Sequence, residues 1–189
     1  AADVPVTLTE ARDHLRITDT LEDTLITTLT KTAVEYVENR LNRKLITQTW
    51  EIYMDEFPTE EEIELPFAPL ASITHLKYYD TSETEQTYNS SNYYTDILTE
   101  PGKLKLKPTS SGWPSTYERP NAITLRFICG YGAASTSVPE LIRAAIKLLI
   151  SHFFENREAI NVGQAIVADI QIPKAVDQIL TQLSLRDQF

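Results

Sequence analysis

The chain holds 189 residues, 42% of them hydrophobic, and a single cysteine, Cys129. That length fills one domain, or a core domain with a sizeable insertion, and the lone cysteine excludes an intramolecular disulfide framework. A formal charge of −10 excludes general nucleic-acid affinity, because that binding rests on neutralising phosphates with Lys and Arg.

No run reaches the apolar length of a membrane span, and the first residues lack the basic-then-apolar order of a signal peptide. Thr7-Leu8-Thr9-Glu10 has the order of a capping box and predicts a short helix over 7–16, with Ala11, His14 and Leu15 inward. Thr20-Leu21-Glu22-Asp23 repeats that order and predicts a helix over 21–43. Its apolar stripe is Leu21, Leu25, Ile26, Leu29, Ala33, Tyr36, Val37 and Leu41, at the 3.6-residue period.

From Thr47 the period changes to two. Short runs of β-formers follow: Thr47–Met54, Ile63–Leu65, Ile73–Asp80, Tyr93–Leu98, Lys103–Lys107 and Ala122–Cys129. Turn residues separate them, and Thr81–Gln86 reads as an exposed hairpin tip. Gly130-Tyr131-Gly132 then returns the chain to a helix over 138–158. Ser137 and Glu140 suit a third capping box there, with Pro139 in the first turn. Polar residues on that helix form one narrow stripe, Glu140, Arg143, Lys147, Ser151 and Glu155, so it should be buried on most sides. Ile166–Ile172 alternates like a strand, Pro173 opens a last helix over 174–184, and Arg186–Phe189 is a tail. The expected class is α+β: a helical core of residues 1–46 plus 130–189, with an antiparallel β insertion over 47–129.

Motifs for chemistry are sparse. His14, His75 and His152 have no ligand partners at helical or CxxC-like spacing, and the His-Glu-x-x-His order is missing. Cys129 ends an apolar strand with no base beside it, which favours a buried structural thiol. Gly130 and Gly132 are not followed by the Lys-Ser/Thr of a phosphate loop, so they read as a structural turn. No cofactor motif is present. The acidic run Asp55–Glu64 lacks the spaced oxygens and central Gly of a calcium loop and reads as a solvated loop or a partner-facing surface.

Lys103, Lys105 and Lys107 alternate with Leu104 and Leu106, the pattern of a protected sheet edge. A second reading sets these lysines against Glu60, Glu61 and Glu62 of an adjacent subunit, a heterologous contact of the ring-forming kind. The tyrosine pairs Tyr78-Tyr79 and Tyr93-Tyr94 should each place one ring inward and one outward, the outward rings being interface candidates.

Several stretches, taken in order, carry a family resemblance. They are Val6–Ala11 with His14–Ile17, Glu35–Glu38, Gln48-Thr49-Trp50, Phe57-Pro58, and Leu65-Pro66 before Pro69-Leu70 and Ser72-Ile73. Tyr78–Asp80, Trp113-Pro114, Gly130-Tyr131-Gly132, Val138-Pro139, Ala145-Ile146 and His152–Glu158 complete the set. Together they resemble the head–tail connector, or adaptor, family of tailed bacteriophages and prophages. Members often carry Tyr where this chain has Phe154, and the likeness beyond Glu158 is loose.

The resemblance implies a non-enzymatic virion component, assembled in the host bacterial cytoplasm and sited in the neck. It implies a self-assembled ring of about twelve copies below the portal protein, with a stopper or tail protein beyond. It also implies passage of double-stranded DNA without sequence-specific binding, and no membrane contact. Such a ring would carry on the order of a hundred negative charges, which repel DNA and keep a channel slippery. The candidate portal or subunit contacts are Ile166, Ile170, Ile172, Arg186 and Phe189. Two other readings stay open: a metal-dependent hydrolase using the Asp55–Glu64 carboxylates with His75, and a monomeric module binding a peptide or protein through its β insertion.

Overall fold

The computed structural model describes residues 4–156 and 172–185. The chain divides into two compact units: Ala1–Ile46 with Gly132–Phe189, and Thr47–Tyr131. The first is helical and the second is built of antiparallel strands, an α+β fold.

In the helical unit, α1 (Leu8–Leu15) starts at the Thr7 box. The Thr7 hydroxyl accepts the Glu10 N–H at 3.3 Å, and the Glu10 carboxylate accepts the Thr7 N–H at 2.8 Å. Only Ala11 of the expected inner face is fully buried, and His14 is exposed. The second expected box does not form. α2 runs Asp23–Leu41, and its N-cap residue Glu22 makes no side-chain cap bond. The nearby turn is held instead by Asp19, whose carboxylate accepts the Leu21 N–H at 3.0 Å. That turn points Leu21 into solvent, 89% exposed, rather than into the stripe. The rest of the α2 pattern holds: Ile26, Leu29, Ala33, Val37 and Leu41 are buried.

The central helix α3 is Glu140–Glu155, and α4 is Lys174–Leu185. α3 packs against α1, α2 and α4 through Ile142, Ala145, Ile146, Leu149, Ile150 and Phe153. Burying each large side chain stabilises the unit by about 1.5–3 kcal/mol. Its third capping box is also absent. The N-cap residue is Pro139, without a side-chain bond. Ser137 instead ends a 3-10 turn, Ser135–Ser137, that folds back on Gly132. As expected, α3 is buried or partly buried on most sides, but its exposed stripe, Glu140, Leu141, Leu148 and Glu155, includes two leucines, 41% and 37% exposed.

The β unit contains β1 (Gln48–Met54), β2 (Glu62–Glu64), β3 (Leu70–Tyr79), β4 (Glu85–Thr87), β5 (Tyr93–Asp96), β6 (Lys103–Leu106) and β7 (Ile123–Cys129). They form a four-stranded sheet, order β1-β7-β3-β4, and a three-stranded sheet, order β2-β6-β5. β4 begins inside the expected exposed hairpin tip, 81–86, and ends one residue beyond it. β7 shows why the period of two was legible. Ile123, Leu125, Phe127 and Cys129 are buried, while Thr124, Arg126 and Ile128 face the other side. The core joins them to Leu70, Leu76, Tyr88, Tyr93, Leu104 and Leu106. Phe57 and Trp113 stack on its margin, with ring centroids 4.8 Å apart and planes 4° from parallel.

Candidate interaction surfaces

Among the described residues no three His, Cys, Asp or Glu side chains come together as a metal site. His75 lies in β3 opposite Arg126, on the polar face of the four-stranded sheet. Glu62 and Glu64 lie in β2 of the other sheet, and both reach Lys103. The carboxylates and histidine of the hydrolase reading are therefore not assembled into one centre. Cys129 is fully buried in the core.

The basic strand β6 is not an edge. It is the middle strand of its sheet, between β2 and β5. Antiparallel register sets Glu62 opposite Lys105 and Glu64 opposite Lys103. Lys103 Nζ lies 2.9 Å from Glu64 and 3.3 Å from Glu62, and Lys105 lies 3.8 Å from Glu62. Bonds from Glu64 and then Glu62 raise the Lys103 pKa. Lys107 turns elsewhere, donating to the Ser91 carbonyl at 2.8 Å and standing 5.0 Å over the Tyr94 ring. Glu60 and Glu61 remain exposed, and their carbonyls accept from the Trp113 indole and the Leu106 N–H.

Tyr93 is buried and Tyr94 is 57% exposed, the alternation a strand dictates. Tyr78 packs on the core, and Arg119 lies 4.2 Å over the Tyr79 ring. Gly130 and Gly132 adopt positive φ, 122° and 156°. Gly132 also has no room for a side chain, because an added Cβ would stand 2.5 Å from the Ser137 hydroxyl. Of the candidate contacts near the C-terminus, Ile172 is half-buried. Ile166, Ile170, Arg186 and Phe189 lie outside the described residues, as does most of the expected strand over 166–172.

Three features escaped the sequence reading. By spacing Arg143 belongs to the polar stripe of α3, yet it is buried. It donates to the Pro5 carbonyl at 3.1 Å and to Glu140 at 2.6 Å, and pairs with Glu10. The signal was present: Arg143 sits three and seven positions before Ile146 and Ile150, on their side of the helix. Partial burial raises the Glu10 carboxyl, but bonds from Thr7 and the Arg143 charge outweigh it, so its pKa is lowered.

The second feature is the loop after β5. The Asp96 carboxylate accepts the N–H groups of Leu98 and Thr99 at 2.9 and 3.2 Å, and the Thr99 hydroxyl at 3.0 Å. These bonds, the one from Leu98 first, lower the Asp96 pKa. The loop displays Ile97 and Leu98, 48% and 91% exposed. The third feature is a charge row across the four-stranded sheet. Glu51 of β1 bonds Arg126 of β7 at 2.5 Å, with His75 of β3 next in line. The Tyr53 hydroxyl, then Arg126, hold the Glu51 carboxyl below its usual range.

No helix of the described residues is long and apolar enough to cross a membrane. A family model described as phage gp6-like head-tail connector protein matches residues 5–100. No curated protein matches significantly. Among solved structures, the fold is similar to a chain in the virion of a native gene transfer agent (GTA) particle, with TM-score 0.74 and 20% identity. That match covers 95% of this chain and 89% of the other. It is also similar to chains in two GTA necks, each with TM-score 0.72, 19% identity and 93% of this chain covered. One is from an empty particle with C6 symmetry, covering 89% of the other chain. The other is from a native particle with C12 symmetry, covering 86% of the other chain.

Proposed function

Because the chain belongs to the phage gp6-like head-tail connector family, a family of structural neck components rather than enzymes, we propose that it works as a head–tail adaptor. In this reading its copies close into a ring between the portal protein and the stopper or tail. The ring extends the DNA channel and completes the head for tail attachment. A copy number of twelve is supported by the C12 symmetry of a neck whose chain shares the fold. The helical unit supplies the ring wall, and the β unit supplies contacts toward the tail side. Ile166, Ile170, Ile172, Arg186 and Phe189 serve as contacts to the portal or a neighbouring subunit.

The observation that carries this reading is the connector-family match over residues 5–100. Charge supports it: at −10 per copy, a closed ring repels the DNA it surrounds. The test is native mass measurement of the protein alone and with its portal protein. A portal-bound ring of identical copies is expected. A strict monomer that ignores the portal overturns the reading.

A further inference from the structure

Most strand edges in this molecule are blunted. Free edges invite pairing with foreign strands, so folded proteins keep them short, charged or kinked. β2 and β4 have three residues each and β5 has four. β2 carries Glu62 and Glu64, β4 carries Glu85, and β5 ends at Asp96.

β1 is different. Among the described residues it lies at the end of the four-stranded sheet, with a strand neighbour on one side only. It is seven residues long and contains no Pro, Gly or Lys. Its register with β7 runs from Gln48–Cys129 to Met54–Ile123 without a bulge. Alternate residues of such a strand turn their N–H and C=O groups away from the sheet. Its core-side row is partly open at Ile52 and Met54. Trp50, Ile52 and Met54 pack against the buried core of the sheet but remain only partly buried. A further strand alongside β1 would cover them.

We propose that the free edge of β1 is a docking site for an extended strand of another protein, one that alternates apolar residues with Lys or Arg. The apolar residues continue the core row beside Trp50, Ile52 and Met54. The basic residues lie on the other face, with Thr49, Glu51 and Tyr53. Charge decides for a different protein over a second copy. Thr47–Tyr131 holds thirteen acidic residues against six basic ones, so the unit attracts a basic strand. Antiparallel self-pairing of β1 would centre on Glu51 and set it opposite its own copy, a like-charge pair. Among the described residues the other edge strands carry acidic residues as well: Glu62 and Glu64 in β2, Glu85 in β4 and Asp96 in β5. Backbone pairing gives such a contact its affinity and alternate side chains give it specificity. The inference stands without the ring, because it concerns one edge of one subunit.

The experiment uses the full chain and a labelled nonapeptide of alternating valine and lysine. Its twin is N-methylated throughout, with the same side chains and charge but no strand-pairing donors. Binding is read by fluorescence anisotropy, and its location by amide hydrogen exchange. The peptide is expected to bind at least about tenfold more tightly than its twin and to protect the amides of residues 48–54. Equal binding of the two peptides, or protection confined to other segments, overturns the proposal. Concentration-dependent protection of 48–54 without peptide overturns it too, by making a second copy the occupant.

Discussion

Arg143 of α3 and Glu10 of α1 form an ion pair between residues 133 positions apart, and the same guanidinium holds the Pro5 carbonyl. One buried cation thus ties the start of the chain to its central helix. Replacing Arg143 with Met should remove about 2–3 kcal/mol of stability, since the Pro5 carbonyl and Glu10 then lose a charged donor inside the fold. Arg143→Lys should recover only part, because an ammonium cannot reach three acceptors in one plane. Urea denaturation of the three proteins checks this. A loss under about 0.5 kcal/mol, the range of an ordinary surface change, would show the hub to be incidental.

The pH dependence has a fixed sign. The Glu10 pKa is lowered in the folded protein, so its contribution is present above the unfolded carboxylate range. It is lost as pH falls through the folded value. The stability difference between the parent and Glu10→Gln should be flat at neutral pH and shrink in acid. A difference that instead grows as pH falls contradicts the assignment.

Gly132→Ala should destabilise the protein by about 1–3 kcal/mol, from positive φ and from collision with Ser137. The double variant with Ser137→Gly removes the collision and leaves the backbone strain, so it should recover part of the loss. Thermal melts of the single and double variants separate the two causes.

Lys103 and Lys107 share a charge and lie four positions apart, but they do not share a role. Lys103→Glu sets three carboxylates together at the β2–β6 pair and should lower the urea midpoint, most clearly at low salt. Lys107→Glu has no acidic strand opposite and should change the midpoint less. Equal midpoints for the two variants would refute the intrachain account of these lysines.

Leu141 and Leu148 lie one above the other on the exposed side of α3, seven positions apart. Their replacement by Gln should leave stability within about 0.5 kcal/mol. If the helical unit forms a ring wall, the same change should reduce ring formation with the portal protein, read by native mass. Unchanged assembly would remove this face from the interface.

Elements were legible in the sequence where a strong period decided them. The inward residues of α2, α3 and β7 were identified from spacing alone, because apolar burial enforces 3.6 in a helix and two in a strand. Helix starts were less legible. The Thr7 box formed, but the orders at Thr20 and Ser137 did not, because Asp19 and Gly132 offered competing local bonds and contacts. Sheet order was not legible. Lys103–Lys107 had the pattern of an edge and became a centre, since alternation reports which face is wet and not which strands flank it. Among the interaction surfaces, the outward Tyr94 followed from alternation. The burial of Arg143 is legible from its place on the Ile146–Ile150 side of α3, but its partners Pro5 and Glu10 are distant in sequence, and the Asp96 loop is a turn no periodicity reports.

The Asp96 loop has already surrendered its conformational freedom on folding, because one carboxylate fixes three hydrogens within it. Leu98 is consequently a rigid apolar point rather than a floppy one. A surface that met it would have less backbone entropy to remove than one meeting an unbonded loop, which lowers one of the costs of a contact there.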